Sequence, residues 1–379
     1  MALEKIQFKP QIWTGSNALD GLEKLKNYKI FLVTDPFMVK SGAIKQIEDR
    51  LNKNNDVKVF SDIQPDPPID QIVKGIEQIN EFNANLLIAV GGGSAIDATK
   101  GMKFFWQKTH DGKELQLIAI PTTSGTGSEV TNFAVITDAD KGVKYPLVTD
   151  DVLPTIALLD ANLVKTAPQS ITVDTGMDVL THCLESYVSK GANAFSDAFA
   201  EKAFQIVFNN IKRVSENGKD MEARQQMHDA SCIAGLAFNL AGLGINHSIA
   251  HAAGAKFHIP HGRLNTIIMP QVIEYNAELS NGVMAKPNRA AKKYANLARL
   301  VGINAVNPNI AVRNLIKAIV KLRKDLKMPA SFSEYGISKE KFNDEKENIA
   351  KAAVQDADTQ SNPIKADAKD MLNILNDSF

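Results

Sequence analysis

Two cysteines among 379 residues, Cys183 and Cys232, cannot form a disulfide framework, and a reducing compartment is the expected home. Charge of one sign is also missing: Lys plus Arg and Asp plus Glu are each 43. Without a basic excess there is no global field to draw nucleic acid or an anionic membrane, and neither is expected as a partner. No stretch approaches the roughly 18 apolar residues of a membrane span. The opening run Met-Ala-Leu-Glu-Lys-Ile-Gln-Phe lacks an apolar core of signal-peptide length. Internal repeats and low-complexity runs are missing too. These absences point to a soluble cytoplasmic protein.

What remains is a chain of ordinary globular composition, 44% hydrophobic and 23% charged, too long for one core and suited to two domains. Up to about residue 165 short apolar runs alternate with amphipathic stretches. Strands are expected at Lys29–Thr34, Val57–Phe60, Leu86–Val90, Leu117–Ile120, Phe133–Thr137 and Ile156–Leu159. Helices are expected at Ser41–Asn52, Ile69–Phe82 and Ala95–Trp106. This alternation predicts a Rossmann-like parallel sheet flanked by helices. Beyond Pro168 long helical patterns take over, so 1–165 reads as an α/β domain and 166–379 as an all-helical one.

Two glycine-rich segments end predicted strands. Gly91-Gly92-Gly93-Ser94 lets a backbone approach a ligand closely and opens a helix whose N–H groups suit a pyrophosphate. It departs from the G-x-G-x-x-G fingerprint, since position 96 is Ile, and alone it could be a plain tight turn. Pro121-Thr122-Thr123-Ser124-Gly125-Thr126-Gly127-Ser128-Glu129 packs hydroxyls and glycines suited to phosphate and ribose oxygens, or is a polar loop. In open parallel sheets ligands bind where both segments fall, at the carboxyl ends of strands. Asp35 ends the first strand. There it would accept hydrogen bonds from ribose hydroxyls and repel a 2′-phosphate, favouring NAD(H), or would simply cap a turn.

The helical half holds the densest chemistry. Asp178 and His182 are four apart, on one helix face. His247, His251, His258 and His261 crowd one short window; His247 and His251 lie one helical turn apart, and His261 falls in a loop before a helix from Leu264. A carboxylate with several imidazoles is an oxygen-and-nitrogen donor set for a divalent transition metal.

These segments resemble the iron-containing (group III) alcohol dehydrogenases. The resemblance rests on Gly91–Ser94, Pro121–Glu129, Thr175-Gly176-Met177-Asp178-Val179-Leu180-Thr181-His182, Gly242–His251 and Pro260-His261-Gly262, and it spans nearly the whole chain. The run Lys141–Leu147 is similar, more weakly, to the short 1-propanol dehydrogenases of propanediol utilisation. The resemblance implies a dehydroquinate-synthase-like fold, with the site in a cleft between a nucleotide-binding and a helical domain. It implies Fe²⁺ (or Zn²⁺) on Asp178, His182, His247 and His261. NAD(H) would be held by Asp35, Gly91, Gly92, Gly93, Ser94, Asp97, Thr122, Thr123, Thr126, Ser128 and Lys144. His251 would lie near the substrate as a proton relay, and Phe133 and Phe238 would line an apolar pocket.

The implied activity is hydride transfer between NAD(H) and a short-chain alcohol or aldehyde, such as 1-propanol and propanal, with the substrate oxygen polarised by the metal. A homodimer or larger homo-oligomer is implied, and from the subgroup alone, companionship with microcompartment enzymes. The competing readings are a glycerol or diol dehydrogenase, a dehydroquinate-synthase-type lyase, and a non-catalytic nucleotide- or metal-binding protein. Cys183, beside a metal-ligand position, is read as a packing residue before a redox sensor.

Overall fold

A computed structural model describes residues 6–110, 113–138 and 143–379, without the side chains of Val143 and Lys144. The chain forms two compact units, Met1–Ala167 and Pro168–Phe379.

In the first unit lie strands β1 (Gln11–Thr14), β2 (Lys29–Thr34), β3 (Asp56–Phe60), β4 (Leu86–Gly91), β5 (Gln116–Pro121), β6 (Phe133–Asp138), β7 (Val143–Val148) and β8 (Ile156–Leu159). Helices α1 (Pro36–Lys40), α2 (Lys45–Leu51), α3 (Ile69–Phe82) and α4 (Gly93–Thr109) connect them. Six strands form a parallel sheet in the order β1-β8-β5-β4-β2-β3, while β6 and β7 pair antiparallel. The continuous apolar runs are explained by burial on both faces. Phe31, Val33, Leu87, Ala89, Leu117 and Ala119 pack into one core, and Ile30, Leu32, Ile88, Val90, Ile118 and Ile120 into the other. Each fully buried Leu, Ile or Phe contributes about 1.5–3 kcal/mol. From β2 the chain moves outward to β3, then returns to β4 on the other side of β2. The sheet therefore switches direction between the carboxyl ends of β2 and β4, where Asp35 and Gly91 stand.

The second unit contains α5 (Gln169–Val188), α6 (Ala194–Glu216), α7 (Met221–Ala241), α8 (Ile245–Phe257), α9 (His261–Asn276), α10 (Arg289–Leu300), α11 (Pro308–Asp325), α12 (Phe332–Tyr335), α13 (Lys339–Gln355) and α14 (Ala368–Asp377). It has no strand among the described residues. Every α5 residue from Met177 to Val188 is buried, so α5 is the central helix and its polar side chains must find partners inside. One core gathers α5, α6, α7, α10 and α11; a second gathers α8, α9, α13 and α14.

Two local expectations are corrected, and one strand had not been foreseen. The helix expected over Ser41–Asn52 is α2 and starts later, at Lys45; a short helix α1, capped by Asp35 with Pro36 at its first position, precedes it, and Gly42 at φ +73° breaks the path between the two. His261 lies not in a loop but at the first position of α9, which begins directly after Pro260. β1, a four-residue edge strand with three exposed residues, carries too little apolar pattern to be seen in the sequence.

Candidate active site

Within α5, Asp178, His182 and Glu185 follow at intervals of four and three, so all three project from one face. α8 brings His247 and α9 brings His261 to that face. His247 Nε2 lies 3.8 Å from Asp178 Oδ1, and His261 Nε2 lies 3.5 Å from the same oxygen. His182 stands slightly aside, its Nε2 3.9 Å from Asp178 Oδ2 and its ring stacked on His247 with centroids 4.8 Å apart. The approach of α9 to α5 depends on Gly262: a Cβ there would meet the Asp174 carbonyl oxygen at 1.9 Å.

This donor set fits a divalent first-row ion. Ligand atoms bonded to such an ion at about 2.1 Å sit roughly 3.4 Å apart in a tetrahedral site. One ligand atom each from Asp178, His247 and His261 all fall within 4.8 Å of one another. His182 Nδ1 is a buried nitrogen with no hydrogen-bond partner. Burial holds the His182 imidazole below its ordinary pKa. It holds His247 well below, with the neighbouring His182, His261 and His251 adding to the effect. Both rings are thereby kept neutral, the form that ligates metals.

Two supporting residues escaped the sequence reading. Glu185 Oε2 and His247 Nδ1 lie 2.5 Å apart, Oε1 accepts from the Asn246 backbone N–H at 2.6 Å, and burial raises the Glu185 carboxyl well above its ordinary range. With the proton on Nδ1 toward Glu185, as an ion at Nε2 would require, the Nε2 lone pair faces Asp178. Asn265 Nδ2 donates to Asp178 Oδ1 at 2.7 Å and faces His261 Nε2 at 3.1 Å and His247 Nε2 at 3.3 Å. The available signal was periodicity: Glu185 is seven residues after Asp178, and Asn265 four after His261.

His251 lies beside this group, its ring stacked on His261 at 5.2 Å between centroids. Its Nδ1 is 3.0 Å from Asp356 Oδ2 and 4.0 Å from Asp358 Oδ2. Burial opposes its charge, but the hydrogen bond to Asp356 and the two carboxylates outweigh that and raise its pKa. Asp356 is held in turn by the Ser248 hydroxyl at 3.2 Å. Phe238, from α7, packs against His182 at 4.6 Å between ring centroids. Burial pushes the Cys183 thiol far up, so it is an inert packing group.

In the first unit the nucleotide candidates gather at the sheet's switch point. Gly91 has φ +156°, and a Cβ there would strike Ala95 Cβ at 2.6 Å and come within 3.4 Å of Asp35 Oδ2. Cβ atoms on Gly92 and Gly93 would lie 3.5 Å from Thr123 Cγ2 and 3.0 Å from Thr126 Cγ2. The Thr122 N–H also bonds the Gly91 carbonyl at 2.9 Å. The two loops thus form one bare cradle. α4 starts at Gly93 with no side-chain cap, leaving N–H groups for a phosphate. Asp35 plays the turn role too, its Oδ1 accepting from the Met38 N–H at 3.0 Å, while its Oδ2 faces the cradle.

Two other candidates sit deeper. Ser128 donates to Asp97 Oδ1 at 2.6 Å, and Asp97 Oδ2 accepts from the Val135 N–H at 3.0 Å. Beneath them is Lys100, which the sequence reading missed. Its fully buried Nζ reaches Ser128 Oγ (3.0 Å), Thr131 O (2.8 Å), Thr131 Oγ1 (3.1 Å) and Phe133 O (2.8 Å). Burial lowers its pKa to about 8 against the charge of Asp97. Phe133 gives its backbone oxygen to Lys100 while the residue is 37% exposed on β6. The side chain of Lys144 lies outside the described residues.

Known proteins resemble this chain in sequence and fold. A family profile described as iron-containing alcohol dehydrogenase matches residues 10–161, and the profile of that family's C-terminal part matches 172–379. A 1-propanol dehydrogenase of Citrobacter freundii is 41% identical over 98% of this chain and 99% of its own. Among solved structures, a 1,3-propanediol oxidoreductase superposes with a TM-score of 0.88 at 30% identity, covering 98% of both chains. A sulfoacetaldehyde reductase from Bifidobacterium kashiwanohense, solved with NAD⁺, gives 0.86 at 26% identity over 99% of this chain and 98% of its own. Matched by both profiles and by a full-length relative at that identity, the chain belongs to the iron-containing alcohol dehydrogenase family.

Proposed function

We propose that this alcohol dehydrogenase, working with iron and NAD(H), interconverts short aliphatic alcohols and aldehydes of the 1-propanol and propanal type. The observation that carries the reading is the convergence of Asp178, His247 and His261 on one point, with the Phe238 ring against the adjacent His182. An aromatic wall beside a metal-ligand cluster suits an apolar chain and offers nothing to a phosphate or second carboxylate. The similarity to a 1-propanol dehydrogenase supports the same substrate size.

The bound ion supplies a Lewis acid for the substrate oxygen, and the nicotinamide supplies the hydride exchange. The protein's residues do the rest. Glu185 orients His247, and Asn265 ties Asp178 to the α9 turn that carries His261. His251, anchored through Nδ1 by Asp356, takes up or returns the substrate proton at Nε2. The Gly91–Ser94 turn and the Thr122–Ser128 loop hold the cofactor phosphates and ribose, with Asp35 at the adenosine end. Lys144, Phe133, a homo-oligomeric assembly, the 165/166 domain division and residence with microcompartment enzymes belong to the same proposal.

The test is anaerobic: iron-loaded protein, NADH oxidation, and C2–C4 aldehydes beside glycerol and 1,2-propanediol. Propanal or butanal should give the highest kcat/KM. Absence of turnover with every C2–C4 aldehyde, or preference for the polyols, would overturn the substrate assignment. His251→Ala should lower turnover and alter the pH–rate profile; unchanged values would remove His251 from the proton path.

A further inference from the structure

An open pocket of about 800 Å³ lies within the helical unit, and neither Phe238 nor His251 is in its lining. Its lining includes Arg263, Arg323, Lys324, Lys327, Glu334 and Tyr335. Four cations face one carboxylate. Arg263 is already paired, its Nε and Nη2 each 3.0 Å from an oxygen of Asp174. Glu334 is partly occupied, accepting from the Ala330 N–H at 2.7 Å. Arg323 is different: it is only 8% exposed, and its Nη1 is buried with no hydrogen-bond partner.

A guanidinium presents five N–H donors; burial disfavours the Arg323 charge, Glu334 offsets this in part, and Nη1 is still left without an acceptor. Arg323 and Lys324 stand in the last turn of α11, whose carbonyl end attracts positive charge. That attraction is weak and screened, and it gives Nη1 no acceptor. The forked guanidinium and two flexible ammonium groups around an open cavity match a small dianion, which offers several acceptor oxygens at once.

We propose that this pocket binds a small dianionic molecule, bearing phosphate or two carboxylates, with Arg323 as the principal donor and Lys324 and Lys327 as supporting charges. The pocket also has a path to the metal-ligand cluster. Arg263 lines it, packs 6.0 Å over the Tyr335 ring, and holds Asp174, one helical turn before Asp178. An anion that draws Arg263 from Asp174 would loosen the α5–α9 contact, so occupancy would modulate activity without entering the catalytic site.

Inorganic phosphate and succinate are the probes, titrated separately by calorimetry into NAD⁺-saturated protein in chloride buffer. Saturating NAD⁺ keeps the anions off the Gly91–Ser94 turn. The wild type should bind at least one of them, and a preference for phosphate or for succinate identifies the source chemistry. Arg323→Met should weaken that binding about tenfold or more while melting no lower than the wild type, because it removes a charge that burial disfavours and only the exposed Glu334 offsets. The double variant Lys324→Gln/Lys327→Gln, altered mainly at the pocket rim, should weaken it as well and guards against misfolding of the first. Binding of neither anion, or equal binding by wild type and both variants, would overturn the proposal.

Discussion

Gly262→Ala is the substitution whose consequence the structure defines most sharply. The new methyl would lie 1.9 Å from the Asp174 carbonyl oxygen, 2.7 Å from its carbon and 3.2 Å from Asp178 Cβ. Backbone cannot swing aside as a long side chain can, so α9 must move from α5 by about 1 Å to reach a tolerable contact. Metal–ligand bonds tolerate only about 0.2 Å. His261 opens α9 and Asp178 sits in α5, so the displacement falls on that pair, now 3.5 Å apart. Overpacking of this kind costs about 1–3 kcal/mol. For a unit of this size that lowers Tm by about 2–4 °C per kcal/mol, leaving a folded protein. Metal affinity should fall beyond the roughly 100-fold seen when only a supporting residue is lost. Anaerobic Fe²⁺ titration with metal analysis, beside calorimetric melting, measures both quantities. Wild-type affinity together with unchanged Tm would refute the argument that Gly262 sets the helix spacing.

Further outcomes follow from single groups. Glu185→Gln preserves shape but sets an amide in place of the carboxyl that holds His247 Nδ1, and should weaken metal binding about 10–100-fold with little change in NAD⁺ affinity. Asp35→Ser keeps a capping oxygen for α1 while removing the charge that faces the cradle, so KM for NADPH should fall about tenfold relative to NADH. Burial raises the Glu129 carboxyl from 4.5 to about 7, its own backbone N–H and Lys100 opposing. The folded state therefore holds this proton more tightly, so Glu129's contribution to stability is present below pH 4.5 and lost as pH rises to 7. Glu129→Gln should gain on the wild type across that window, by on the order of 3 kcal/mol, read from paired melts between pH 4.5 and 8. A constant difference between the two melting curves would contradict the shift.

Repeating local pattern is what made much of the molecule readable from sequence. Leu86–Gly91 and Leu117–Pro121 are unbroken apolar runs because both sheet faces are covered, and Ile69–Phe82 carries its core positions at helical spacing. Asp178 and His182 declare themselves by their four-residue interval. Asp356 and Asp358 do not, since they meet His251 across more than a hundred residues and share no periodicity with it. Lys100 was hidden for a related reason. A lysine on a helix ordinarily reads as solvent-facing, and only the fold reveals four oxygens gathered around it. His261 was misplaced by one turn, since Pro260 was taken as loop although Pro is at home beside a helix start.

The buried Lys100 ammonium joins α4 to Ser128, Thr131 and Phe133 before any nucleotide arrives. Ser128, through Asp97, is tied onward to the Val135 N–H on β6. The helix proposed to meet the phosphates and the loop proposed to meet the ribose are therefore tied into one unit. Such a receptor loses little conformational entropy on capture, so more of its contact energy remains as affinity. Cutting the lysine tether should therefore be felt as looser cofactor retention even though Lys100 is fully buried behind Ser128.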